Sequence, residues 1–161
     1  MTFTRVIARR YFVIWIAATA LWLSAVPAFA ALGGDASTVD ADRVRMKGSL
    51  LRIVRNDAYT LHEIRSESGT TVREFISPAG KVFAVAWEGQ WHPDMEQVLG
   101  AYFARYQQGA QAALRQRRTR GLLRIRDGDL VVQMSGHQRA FTGRAYLAND
   151  IPPGVQADAL R

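Results

Sequence analysis

The sequence contains no cysteine among its 161 residues and only three histidines. Without cysteine, disulfide bonds, thiolate metal sites, a cysteine nucleophile and a lipid-modified cysteine are all excluded. Such a domain depends on its apolar core for stability. A chain of this length buries roughly two-thirds of the surface that its unfolded form exposes, so we expect one domain that folds without crosslinks.

The first 30 residues contain three arginines and no acidic residue, and an uncharged apolar run covers 11–26. Ala28 and Ala30 then occupy the two positions that a signal peptidase inspects. This order is typical of a secretory signal, and the run is shorter than the about 20 residues needed to span a bilayer. We therefore expect a cleavable signal peptide over 1–30 and a single exported domain, periplasmic or secreted, over 31–161.

The adjacent Arg9 and Arg10 leave the export route open. A paired arginine is typical of a twin-arginine signal, whereas the strongly apolar run that follows favours the general secretory route. Cleavage after residue 30 removes three of the 21 basic residues and none of the 14 acidic ones, so the formal net charge falls from +7 to +4. The exported domain is therefore only mildly basic.

Beyond residue 50 the hydrophobic period changes to two, which predicts strands. We expect three strands over 58–65, 71–76 and 81–87, joined by turns rich in glycine, proline and serine into a meander. The third strand is apolar on both faces, so we place it at the centre of a sheet. One face is predicted to carry Phe83, Val85 and Trp87. The other face carries Val82 and small alanines, and a helix is expected to lie close against it.

That helix is predicted over 94–114, with Pro93 suited to the first helical position and acidic residues in the first turn. One helical face carries Leu99, Tyr102, Phe103 and Tyr106 and is expected to pack on the sheet.

Further strands are predicted over 122–126, 130–134 and 139–147, the first two joined by a hairpin turn at Asp127-Gly128-Asp129. The predicted fold class is therefore α+β, with an antiparallel sheet built from a three-stranded meander and a C-terminal set of strands. One long amphipathic helix packs against that sheet.

Four segments together resemble an exported bacterial family catalogued as domain of unknown function 2844. They are ALGG at 31–34, YTLHEI at 59–64, SPAGKVFAVAW at 77–87, and His137 followed by RAF at 139–141 and GRAY at 143–146. The resemblance spans nearly all of the exported domain and implies a periplasmic or secreted bacterial protein. It implies no activity and transfers no functional residue.

No pattern typical of catalysis is complete in the sequence. His62 and Glu63 are adjacent on a strand, so their side chains face opposite ways. Ser135 and His137 lack a nucleophile elbow and a third member. A small envelope hydrolase with a histidine-centred site is the alternative function, and it requires its candidate residues to converge in one pocket. Those candidates are His62, His137, Arg139 and Arg144.

The acidic clusters favour structural roles over metal binding or glycan hydrolysis. His92, Asp94 and Glu96 offer a nitrogen and two carboxylates, but the two acids diverge on a helix and suit its N-terminus. Asp127 and Asp129 flank a glycine, where aspartate favours turn formation. We therefore predict no metal site, no cofactor and no catalytic residue.

The densest charge lies over 115–120, at the end of the predicted helix and close to Arg124 and Arg126. A helix C-terminus favours cations but explains only the first two or three of these arginines and not the full cluster. The planar guanidinium suits carboxylate and phosphate. Nucleic acid is disfavoured, because export separates it from the protein and no aromatic residue is interleaved. We predict a non-catalytic module that binds a partner protein or an anionic envelope component, with membrane contact only through the signal peptide or weak surface electrostatics. The predicted ligand-binding residues are Arg115, Arg117, Arg118 and Arg120.

Two tryptophans bracket the loop after the third strand. Trp87 is predicted to lie in the core, because it ends an apolar central strand. The position of Trp91 is left open, since an exposed tryptophan there would suit a peptide or sugar contact.

Overall fold

The computed structural model describes residues 32–38, 43–44, 46–115 and 121–161. The predicted signal peptide with Ala28 and Ala30 lies outside these residues. The described strands form one antiparallel sheet in the order β1-β2-β3-β4-β7-β6-β5. They are β1 (Ser49–Arg55), β2 (Thr60–Arg65), β3 (Thr71–Ile76), β4 (Val82–Gly89), β5 (Leu122–Asp127), β6 (Leu130–His137) and β7 (Ala140–Leu147).

The structure confirms the α+β class and the antiparallel sheet, but the sheet is larger than predicted. The meander has four strands, because β1 precedes the three that the sequence pattern indicated. A bulge between Leu50 and Arg52 inserts Leu51 into β1 and breaks its period of two. Strict alternation is therefore absent from the strand, and periodicity alone misses it.

β4 lies at the centre of the sheet as predicted, between β3 and β7. The assignment of its faces was wrong in part, because the register shifts where Phe75 pairs with Ala84 and Ile76 with Val82. Phe83 thereby joins Ala84 and Ala86 in one cluster, while Val82 joins the cluster on the opposite face. The extra residue of the bulge reverses the side-chain phase at this end of the strand.

The helical run covers 95–115, but it is not one continuous α-helix. It consists of α1 (Met95–Leu99), a 3₁₀ turn (Gly100–Tyr102) and α2 (Phe103–Arg115). Gly100 has φ of 50° and ψ of −121°, a backbone conformation that side-chain-bearing residues rarely adopt. Asp94 is the N-cap, accepting hydrogen bonds from the backbone N–H groups of Glu96 and Gln97, so Pro93 precedes the helix instead of opening it.

The helices cover the face opposite to the one expected. Leu99 is buried in the cluster that contains Val85 and Trp87, and Tyr102 and Phe103 pack against the same cluster. The predicted contact face of the helix is thus confirmed, as is the core position of Trp87. The face of β4 that this helix contacts is not the alanine face. Large residues on β4 meet the helices because the bulge leaves Val82, Val85 and Trp87 together.

Residues 151–161, here called the strap, cover the alanine face. Leu160 is buried with Phe75 and Phe83, and Ile151 and Val155 pack against the same cluster. A 3₁₀ turn at Ala157–Ala159 shapes the strap. Small alanines on the central strand therefore make room for an extended segment and not for a helix.

None of the helices in the described residues is both long and apolar enough to cross a membrane.

Candidate functional site

A row of polar side chains crosses the strap face of the sheet along one line of paired residues. The Cα pairings of consecutive strands place these residues side by side on one face. Four of the seven positions are arginines. In spatial order the row is Arg52, Glu63, Arg73, Ala86, Arg144, Gln133 and Arg124.

Glu63 bridges the two arginines on one half of this row. Arg73 Nε lies 2.8 Å and Arg52 Nη2 lies 3.3 Å from the same Glu63 carboxylate oxygen. The hydrogen bond from Arg73 lowers the pKa of Glu63, while burial of the carboxylate acts in the opposite direction. Arg73 also approaches Glu88, at 3.6 Å. These arginines are therefore held by acids of the same sheet.

Arg144 is held by three partners. Its Nε and Nη2 donate to Gln133 Oε1 at 3.0 and 2.8 Å, and its Nη1 donates to the Ala157 carbonyl at 2.7 Å. Its Nη2 also lies 2.7 Å from the carboxylate of Asp158. Arg144 thus clamps the strap onto the sheet, and its side chain is mostly buried in doing so.

A cleft of about 680 Å³ opens beside this clamp, with the small side chain of Ala86 between Arg73 and Arg144. Leu160 and Asp158 of the strap form part of its wall. The cleft contains both acidic and basic groups, and Arg73 and Arg144 in it already have carboxylate partners.

The four residues predicted for a histidine-centred pocket do not come together. His62 pairs with Glu74 on the helix-covered face, opposite to the face that carries Arg144. His137 lies four residues beyond the partner of Arg144 on β6, which is about 13 Å along the strand. Arg139 lies in the turn that follows, with φ of 64°. The hydrolase alternative is left without an assembled site among these residues.

The residues weighed as metal ligands have structural roles. The His92 ring packs on Phe141 with the ring centroids 4.1 Å apart, and the carboxylate of Asp94 caps α1. Within residues 32–38, 43–44, 46–115 and 121–161, no group of three or more metal-ligating side chains is assembled.

The hairpin acids Asp127 and Asp129 bind a residue that the sequence did not single out. Arg105 of α2 donates from Nε to Asp127 at 2.8 Å, and its Nη2 lies 3.0 Å from Asp129 and also contacts the Asp127 carbonyl. The hydrogen bond from Arg105 lowers the pKa of Asp129. The two carboxylates are therefore an anchor for the helix. Two aspartates in one turn favour a nearby basic side chain, but no local sequence pattern indicates that this residue is Arg105.

Three arginines at the end of α2 and on β5 differ from the ion-paired arginines described above. Arg115 ends α2, and Arg124 and Arg126 lie on β5, beside a groove of about 530 Å³ between this strand and the helix. All three side chains are exposed, and within the described part of the chain none of them forms an ion pair. We call Arg115, Arg124 and Arg126 the basic corner. Arg117, Arg118 and Arg120 come between α2 and β5 in the sequence and lie outside the described residues.

Trp87 and Trp91 lie in different environments. Trp87 is buried, whereas Trp91 is 60% exposed. The hydroxyl of Thr70 donates a hydrogen bond to the Trp91 carbonyl at 2.9 Å, which holds the backbone of this loop.

Comparison with known proteins identifies a family. A family model described as Protein of unknown function (DUF2844) matches residues 28–160. No curated protein and no solved structure matches the chain.

Proposed function

The chain belongs to the family described as protein of unknown function (DUF2844), and from that premise we propose that it is an exported, non-catalytic binding module. Its ligand is an anionic partner, either an acidic protein surface or an anionic envelope component. The contact surface is the basic corner together with Arg117, Arg118 and Arg120, which follow Arg115 in the sequence.

One observation carries this proposal, the division of the arginines into neutralised and free sets. Arg73, Arg105 and Arg144 each lie within 3.0 Å of a carboxylate of the same chain. The basic corner has no such partner among the described residues, although it contains three arginines within two neighbouring elements. A ligand is the natural source of the missing negative charge, because the exposed guanidinium groups keep their donors available.

The chemistry of the corner favours an electrostatic mode of binding. Arginine presents a planar fork that matches carboxylate and phosphate oxygens. Leu122, which is exposed beside the groove, adds the only large exposed hydrophobic residue of β5. Binding is therefore expected to weaken steeply as salt rises, since screening acts over about 8 Å at physiological ionic strength.

Export is supported by the sequence of 1–30, with its basic start, uncharged run and Ala28 and Ala30. It places the protein where anionic lipid headgroups and acidic surface proteins are available as ligands.

The test starts with protein recovered from the exported fraction, whose first residue we expect to be Ala31. Vesicles with about one-third anionic phosphatidylglycerol represent envelope lipid, and soluble polyglutamate represents an acidic protein. Replacing Arg124 and Arg126 with Gln should weaken binding to at least one of these probes about tenfold or more, since each basic residue at an anionic surface contributes about 1 kcal/mol. Replacing Arg117, Arg118 and Arg120 with Gln should do the same.

The matched control replaces Arg65 and Lys81 with Gln. Both are exposed and form no ion pair in the described residues, and they lie at the end of β2 and just before β4, away from the corner in the strand order. The control should bind nearly as the parent does, and every variant should keep the parental melting temperature. Equal losses in corner and control variants would show that only net charge matters. Unchanged binding in the corner variants would refute the proposal, and Met1 at the N-terminus of membrane-bound material would refute export.

A further inference from the structure

The first strand of the sheet is unusual in being exposed along its whole length. All seven residues of β1 are exposed, and four of them are large aliphatic residues. Leu50, Leu51, Ile53 and Val54 are 39%, 48%, 40% and 40% exposed. β1 also ends the sheet, so no neighbouring strand among the described residues pairs with its outer edge.

Neither the helices nor the strap pack against this strand to form a core. No residue of β1 belongs to the core cluster under the helices or to the cluster under the strap. An antiparallel edge strand ordinarily packs one face on a core and leaves the other to solvent. β1 instead offers aliphatic side chains on both faces and open backbone donors and acceptors along its edge, which together form a template for another strand.

The charges on β1 favour one kind of occupant. The strand carries Arg52 and Arg55 and no acidic residue. Arg52 reaches back to Glu63 at 3.3 Å, and Arg55 forms no ion pair in the described residues. A second copy of β1 would bring two basic strands together, and like charges on paired strands are destabilising. An acidic segment is complementary to this edge.

The register of β1 with β2 also sets the spacing of the complementary residues. Arg55, Val54, Ile53 and Arg52 pair with four consecutive residues of β2, so they are regularly spaced. An antiparallel strand on the outer edge would oppose them one by one. It would place an acid opposite Arg55, two aliphatic residues opposite Val54 and Ile53, and a second acid opposite Arg52.

We propose that β1 accepts an extended segment of a partner protein, which adds to the sheet as an eighth, antiparallel strand. The segment carries two acidic residues three positions apart with aliphatic residues between them. Main-chain hydrogen bonds supply the affinity, and the two arginines select the partner.

This docking edge is separate from the basic corner. β1 and β5 are the two ends of the seven-stranded order, about 29 Å apart at roughly 4.8 Å per strand. Neither proposal depends on the other.

The experiment uses a labelled peptide in which Glu-Val-Val-Glu-Val-Val is flanked by Gly-Ser, and a control peptide with Lys in place of both Glu. We expect the mature protein to bind the acidic peptide about tenfold or more tightly than the basic one, because two attractive charge pairs replace two repulsive ones. Amide hydrogen exchange in β1 should slow when the acidic peptide binds.

Arg55→Glu is the decisive variant, because Arg55 has no ion pair to disrupt. It should weaken binding of the acidic peptide and strengthen binding of the basic peptide, with an unchanged melting temperature. Arg139→Glu makes the same charge change in the β6–β7 turn and should leave both affinities as they are. Equal affinity for the two peptides, no protection in β1, or sedimentation as a dimer that Ile53→Lys dissociates would each overturn the proposal.

Discussion

At the scale of single residues, Gly109 and Gly143 are two of the glycines at which an added methyl group would collide with a neighbouring element. A Cβ on Gly109 of α2 would lie 2.5 Å from Ile125 Cγ2 on β5, and a Cβ on Gly143 would lie 2.4 Å from the Trp87 ring. From the sequence, Gly109 only weakens a helix. In the structure it is a point where α2 lies close against Ile125 of β5.

Gly109→Ala is therefore expected to destabilise the protein by about 1–3 kcal/mol, as overpacked core substitutions do. The usual helix preference would act in the other direction, since alanine is about 1 kcal/mol better than glycine in a helix interior. Denaturant unfolding of both proteins measures the sign.

The control is the same substitution in an Ile125→Ala background, where the added methyl has room. There Gly109→Ala should be stabilising or neutral. If it destabilises equally in both backgrounds, the close approach to Ile125 is not the cause.

At the scale of elements, Arg105 ties α2 to the β5–β6 hairpin through Asp127 and Asp129. The pKa of Asp129 is lowered by this contact. A carboxyl group with a depressed pKa contributes stability that is present above its unfolded pKa of about 3.9 and is lost as pH falls through the folded value. The anchor should therefore act at neutral pH and fail in acid.

Arg105→Gln should accordingly lower the melting temperature at pH 7, and its difference from the parent should shrink as pH falls from about 5 to 2. Thermal unfolding followed by circular dichroism over this range measures the difference. Arg115→Gln, at an exposed arginine of the same helix without an ion pair in the described residues, should show no such pH dependence. A constant difference for Arg105→Gln at every pH would contradict the charge anchor.

At the scale of the whole molecule, different segments of the chain cover the two faces of the sheet. Helices cover the face with Val85 and Trp87, and the strap covers the face with Phe83 and Ala86. The strap is held by Leu160 in the core and by the clamp of Arg144 on Asp158. A buried leucine and an ion pair therefore hold the segment that covers an aromatic cluster.

Leu160→Ala should cost about 2–5 kcal/mol if the strap unfolds with the rest of the domain. It should also increase binding of a hydrophobic dye and speed proteolytic cleavage near 152–154. Leu114→Ala, the same change at an exposed leucine of α2, should alter stability by less than about 0.5 kcal/mol. Equal effects of the two substitutions would show that Leu160 is not an anchor.

Sequence patterns were sufficient to predict the features that depend on a few neighbouring residues. Strand β3, the hairpin at Gly128 and the core position of Trp87 follow from period-two alternation and turn chemistry, which act over a few residues. The helix face with Leu99 and Phe103 was likewise readable from spacing. Periodicity failed at β1 and at Phe83, because one bulged residue reverses the phase of everything beyond it.

The pairing of arginines with carboxylates, by contrast, depends on how the chain folds, and it separates the ion-paired arginines from the unpaired ones of the described residues. Arg105 and Asp127 are 22 residues apart, and Arg144 meets the strap through Asp158, 14 residues further along the chain. Charge density in the sequence indicated the cluster around Arg115. It did not indicate that Arg105 and Arg144 have carboxylate partners in the folded chain. Ion pairing falls off over a few ångströms, and those distances are set by strand register and by the docking of the helix and strap, which no local pattern encodes.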